Sequence, residues 1–229
     1  GVAIFDLMEI RAKTGIADRR LKPTLGLLDP ENTRSMPSQV GASTGLDVLS
    51  HALESYTAVP FGNRSYPERP LVRPAYQGSN PISEVWSLEA LRIVSQYLPR
   101  AVEDATDDEA RSQMLLAASY AGVGFGNAGV HLPHGMSYPT AGMARDFVPK
   151  GYPGNSAFVP HGISVICNAP AVFRFTPAAA PERHLKAAQA LGVNISGAVR
   201  EDAGQILSSK IISLMQELEI PNGLSALGY

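Results

Sequence analysis

Residues 41–56 read GASTGLDVLSHALESY, and the reading of this stretch decides the fold. Leu46, Leu49, Leu53 and Tyr56 recur at helical spacing, so one face of the segment is apolar. Asp47 and His51 stand at i and i+4, one turn apart on a common face. That is how a helix presents two ligands to one metal ion. Two more histidines stand in short glycine-containing words, HLPHGMSYP (131–139) and VPHGIS (159–164). Asp47, His51, His134 and His161 make an O,N,N,N set, suited to zinc, iron(II) or another borderline divalent ion. Of the chain's five histidines, these three stand in His-Ala or His-Gly steps within apolar segments. A D-x-x-x-H pair alone is common, and His134 and His161 each admit a second reading as a hydrogen-bonded core histidine.

Working outward, 229 residues suffice to bury a real core. Charged residues are 17 % of the chain, below the usual quarter, which points to surface covered by another domain or subunit. A homo-oligomer is therefore expected. A net charge of −2, with scattered Lys and Arg, argues against a nucleic-acid partner. The single cysteine, Cys167, excludes an intrachain disulfide and fits a reducing compartment. No apolar run reaches the roughly 18 residues a membrane helix needs, and no signal peptide is visible. The expected location is cytoplasmic, or mitochondrial in a eukaryote. Both ends read as cuts, at GVAIFD and at LSALGY.

Along the chain, GVAIF and PTLGLLDP read as strands within residues 1–30. After Met36 the pattern turns helical. Pro37 is expected at the first position of a helix, behind Ser35. Gly41 and Gly45 inside that helix each cost roughly 1 kcal/mol against alanine, a cost that close approach of another backbone or a ligand would offset. The loop of residues 59–80 holds four prolines and the arginines Arg64, Arg69 and Arg73. Asn80-Pro81 opens the next helix, expected to end near Pro99, and Thr106-x-x-Glu109 reads as a capping box for the one after it. A Gly-rich helical segment spans 121–142, and another helix starts after Pro160. Residues 181–191 form a short helix and 195–219 a long one, stopped by Pro221. There is no repeat.

GLDVLSHALESY, GNAGVHLPHGMSYP and VPHGIS resemble the metal-ligand segments of the iron-dependent (group III) alcohol dehydrogenases. Within that family RPAYQGSNPIS (73–83), APAVFRFT (169–176) and PERHL (181–185) are most similar to the hydroxyacid-oxoacid transhydrogenase subgroup. The resemblance implies a mainly α chain. Residues 1–35 would be the end of an α/β nucleotide-binding domain. Residues 36–229 would be an all-helical, dehydroquinate synthase-like metal-binding domain. No Gly-rich phosphate loop is present, so the chain reads as beginning after that loop. The resemblance makes Asp47, His51, His134 and His161 the metal ligands and prefers His134 to His131. It places Lys13, in AKTGI, near the cofactor ribose, and Phe125 near the nicotinamide and substrate. Tyr138 stands where many members carry a second histidine. His184, in PERHLKAAQALG, has no counterpart and reads as structural, on a surface helix.

The implied chemistry is hydride transfer between an alcohol or hydroxyacid and NAD(P), assisted by Fe(II), Zn(II) or another divalent metal. 4-Hydroxybutyrate with 2-oxoglutarate is the specific expectation, and a substrate carboxylate needs a cation, for which Arg64, Arg69 and Arg73 are candidates. The alternatives are a general alcohol dehydrogenase of the same family, or a metal-dependent hydrolase or lyase on the related fold.

Overall fold

The computed structural model describes residues 2–7, 9–10 and 12–229. Strands β1 (Val2–Leu7) and β2 (Ala12–Ala17) pair antiparallel, with Val2 opposite Ala17 and Leu7 opposite Ala12. The second expected strand, PTLGLLDP, is not one. Residues 23–29 follow an irregular path, and Leu25 and Leu27 are almost fully exposed. A strand needs a ladder partner, and no described residue pairs with this run. Its Asp29 caps a short 3₁₀ turn, Pro30–Thr33, by accepting from the Glu31 N–H at 3.0 Å.

From residue 36 onward the described chain is helical, with only an isolated bridge between Pro60 and Ser79. Helix α1 spans Ser38–Thr57; Pro37 precedes it in extended conformation rather than opening it. Helix α2 (Pro81–Glu103) is capped by Asn80, whose side chain accepts from the Ile82 and Ser83 N–H groups. It does not stop at Pro99. Proline removes one backbone donor, but buried Leu98 anchors the last turn, and Arg100 pairs with Asp107 and Glu109 beyond it. Helix α3 (Asp108–Ala128) is capped by Asp107, which accepts from Ala110 N at 2.9 Å. The expected capping box does not form, because the Thr106 hydroxyl is bonded to Asp104.

Helices α4 (Leu132–Met143), α5 (His161–Ile166), α6 (Ala169–Phe175), α7 (Pro181–Ala190) and α8 (Ala203–Glu217) follow. Helix α8 is shorter than the expected 195–219. Gly197 adopts φ +79°, a left-handed conformation that ends any helix, and Asp202 Oδ2 then accepts from Val199 N to restart the chain. No helix of the described residues is long and apolar enough to cross a membrane.

Helices α1, α2 and α3 pack together, while α6, α7 and α8 form a second group. The core runs through Leu46, Leu49 and Leu53 of α1, Leu91 and Leu98 of α2, Phe173 of α6 and Leu207, Ile211 and Leu214 of α8, all essentially inaccessible. The expected use of Gly45 needs correction: the space beside it is filled by the Leu98 side chain, not by a backbone or ligand. True backbone approach occurs at Gly162 of α5, where an added Cβ would lie 2.0 Å from the Ser43 carbonyl of α1.

That contact seats α5, and with it His161, against α1. Gly162→Ala should therefore destabilise the full-length protein by about 1–3 kcal/mol. Gly122→Ala in α3, where a Cβ meets nothing within 4 Å, should stabilise by roughly 0.5–1 kcal/mol. Thermal denaturation of the two variants checks the contrast, and equal melting temperatures would contradict it.

Candidate metal centre

Helix α1 carries Asp47, His51 and Glu54 at i, i+4 and i+7, a single stripe along two turns. Helix α4 enters opposite that stripe, with His134 in its first turn, and His161 is the first residue of α5. Ligand atoms of Asp47, His51 and His134 lie within 4.8 Å of one another. His51 Nε2 and His134 Nε2 face each other at 3.0 Å. Asp47 Oδ1 lies 3.4 Å from His134 Nε2 and 3.9 Å from His51 Nδ1. His161 Nε2 comes within 3.8 Å of Asp47 Oδ2, its ring edge-on to that of His134. All four residues sequence analysis proposed as ligands are thus brought together.

The donor set fits a cation on two counts. Asp47 Oδ1 is buried with no hydrogen-bond partner, a costly state that an ion would relieve. Two imidazole nitrogens held at 3.0 Å are also close to the spacing of roughly 3.3 Å that two ~2.0 Å bonds at tetrahedral angles require.

His131 lies outside the group. Its Nε2 pairs with Thr57 Oγ1 at 2.9 Å and its ring stands edge-on to Phe173. His184 is structural in its contacts but not on the surface. It is 1 % exposed, with its nitrogens on the Ala180 carbonyl and the Thr176 hydroxyl, because α7 turns that face into the second helix group. Phe125 stacks on His51, ring centroids 4.2 Å apart, and walls one side of the cluster. Tyr138 lies one turn beyond His134 on α4, and its hydroxyl approaches Gly15 of β2. Lys13 is on the same strand, two residues before Gly15. The Arg64 guanidinium lies over the Tyr76 ring at 5.4 Å, while Arg69 and Arg73 flank a 3₁₀ turn at Pro70–Val72.

Sequence analysis missed Glu54. Its side chain is 0 % exposed, and Oε1 lies 2.6 Å from His134 Nδ1. The signal was present: Glu54 continues the Asp47–His51 stripe by three residues. Thr57, which holds His131 away from the cluster, was missed as well.

The protonation states follow from these neighbours. Burial disfavours the imidazolium of His134, but Asp47 and Glu54 outweigh it, and its pKa is pushed up to about 9. Burial dominates at His51 despite Asp47, and pushes it down to about 4. Burial opposes ionisation of Asp47, yet the surrounding histidines hold it down at about 2. The pattern is self-consistent without an ion: charged His134 donates from both nitrogens, to Glu54 and to neutral His51.

Residues 75–229 match the C-terminal part of the Fe-containing alcohol dehydrogenase family. This chain belongs to that family. The matched segment contains His134 and His161, and Asp47 and His51 precede it. The chain is 55 % identical over 230 residues to the mitochondrial hydroxyacid-oxoacid transhydrogenase of Rattus norvegicus, covering all of this chain and 49 % of the relative. It is 56 % identical to that of Xenopus tropicalis, covering 100 % of this chain and 50 % of the relative. The chain therefore spans about half the length of the curated relatives it matches. The solved structure of a 1,3-propanediol oxidoreductase superposes with a TM-score of 0.80 at 26 % identity, over 100 % of this chain and 52 % of that one.

The shifts set the pH response of the metal-free protein. His134, raised, contributes stability that is fully present below about 6.5 and lost as pH rises towards 9. His51, lowered, costs stability as pH falls from 6.5 towards 4, where the unfolded chain takes up its proton first. Chelator-stripped protein should thus melt highest near pH 6.5, and divalent-ion affinity should rise from pH 6.5 to 9 as the His134 proton is displaced. Calorimetry across pH 4–9 measures the first and competition titration the second; pH-independent affinity between 6.5 and 9 would contradict the proton displacement.

Proposed function

We propose that Asp47, His51, His134 and His161 hold one divalent cation, iron(II) or zinc(II). We propose further that the full-length protein is an oxidoreductase passing hydride between a hydroxyacid and an oxoacid through a nicotinamide cofactor, NAD or NADP. The observation that carries this reading is the buried Asp47 Oδ1, which makes no hydrogen bond, among three imidazoles. The rat and frog relatives are hydroxyacid-oxoacid transhydrogenases, which supports the substrate class.

When bound, the cation supplies Lewis-acid polarisation of the alcohol or carbonyl oxygen, while the nicotinamide carries the hydride. The chain's own residues do the rest. Phe125, stacked on His51, gives the reacting centre an apolar wall that excludes water. Tyr138 offers a hydroxyl donor beside the hairpin, and Lys13 on that hairpin is assigned to the cofactor. Strands β1 and β2 belong to the end of an α/β cofactor-binding domain, with the helical metal-binding domain starting at residue 36. Arg64, Arg69 or Arg73 meets the substrate carboxylate, for which a guanidinium is the bidentate partner. In the net cycle the hydroxyacid loses a hydride to the cofactor and a proton, and the oxoacid takes both back. In a eukaryotic cell the mitochondrion is the proposed location, the compartment named for the relatives, and the assembly a homo-oligomer.

His161→Ala in the full-length protein should lose the cation and nearly all turnover, while nicotinamide binding changes far less. Metal analysis, steady-state rates and cofactor titration on one preparation separate these effects, and normal turnover in a metal-depleted variant would refute the role of the ion.

Substrate class is tested by comparing 4-hydroxybutyrate with simple C2–C4 alcohols, with and without 2-oxoglutarate. The hydroxyacid with 2-oxoglutarate should be the faster pair. A preference for butanol and free NAD, with no effect of 2-oxoglutarate, would make the protein a general alcohol dehydrogenase of the family. The structural likeness to a propanediol oxidoreductase supports that second reading.

A further inference from the structure

Glu54 is a fully buried carboxylate that the four proposed ligands leave unused. Its two oxygens are divided between the ring and the backbone of one segment. Oε1 lies 2.6 Å from His134 Nδ1. Oε2 accepts from the His131 backbone N–H at 2.6 Å and from the His134 backbone N–H at 3.4 Å. The same side chain therefore fixes where α4 begins and how the His134 ring is turned. A carboxylate can only accept, so the proton on a neutral His134 must reside on Nδ1. The lone pair then lies on Nε2, the atom that faces Asp47 and His51.

We propose that Glu54 is a positioning residue that imposes the Nδ1–H tautomer on His134 and so delivers Nε2 to the cation. The inference rests on the proposed metal site. Charge supports it: Asp47 and Glu54 together balance a divalent ion held by three neutral imidazoles, whereas Asp47 alone would leave a buried net charge of +1. Glutamine cannot substitute. The site presents donors on both sides of residue 54, and an amide offers one acceptor and one donor. With its oxygen on the backbone N–H groups, its NH₂ donates to Nδ1 and drives the His134 proton onto Nε2, where it blocks coordination. With the amide reversed, the NH₂ abuts two N–H groups and α4 loses its anchor.

The test uses the full-length protein with Zn²⁺ and Fe²⁺ as separate probes in chelator competition. Glu54→Gln should bind each ion roughly 10–100-fold more weakly than the unmutated protein, the usual cost of losing such a partner. Binding within twofold of the unmutated protein would overturn the proposal while leaving the metal site intact. Failure of the unmutated protein to bind either ion would overturn the metal site and the role of Glu54 together. A measurement without substitution guards against a variant that does not fold. Nitrogen-15 NMR of the Zn²⁺-loaded protein should find His134 protonated at Nδ1 and coordinated through Nε2; coordination through Nδ1 would overturn the proposal.

Discussion

Two carboxylates on the inner face of α1, Asp47 and Glu54, must be neutralised in a place that water scarcely reaches. Histidines surround them: His51 on the same helix, His134 on α4 and His161 on α5. A buried charge without compensation costs several kcal/mol, so α4 is bound to α1 by charge through His134 as well as by packing, while α5 is seated by the Gly162 contact. The Gly162 backbone against Ser43 and the Glu54 clamp on the 131–134 turn are the two contacts that allow both helices close enough.

What could be read from sequence follows from which interactions are local. Asp47 and His51 were legible because four residues make one helical turn, and that geometry needs no tertiary information. His134 and His161 were legible as a pair of words but not as positions in space. Choosing His134 over His131 rested on family resemblance, since both occupy the same apolar word. What physically separates them is the side-chain chemistry of α1. Thr57 takes the ring of His131 and Glu54 takes the ring of His134, seventy to eighty residues away in sequence. Glu54 continues the stripe at 47 and 51, but its partner His134 lies eighty residues away, so its role depends on tertiary structure that the local pattern does not carry.

The misplaced elements share one cause: an apolar pattern does not record where the backbone hydrogen bonds go. PTLGLLDP has the composition of a strand, but no ladder partner lies among the described residues, and its leucines stay exposed. The 195–219 pattern continues on both sides of Gly197, whose positive φ breaks the helix without disturbing the periodicity. Pro99 shows the converse. A residue that usually ends a helix is carried through because Leu98 is buried beside Gly45 and Arg100 is held by two acids on the next element.

His51 and His134 behave in opposite ways, and this bears on the proposed metal site. Their Nε2 atoms lie 3.0 Å apart, yet burial keeps His51 neutral while two carboxylates keep His134 charged. The proton on His134 Nε2 therefore occupies, in the metal-free protein, a position between two donor atoms that a cation would take. At the proposed metal site, binding would then exchange one positive species for another instead of building a site from separated parts. Such preorganisation reduces the ordering that binding must otherwise impose. Phe125 completes the arrangement by covering the face of His51, the ring whose neutrality the proton exchange depends on.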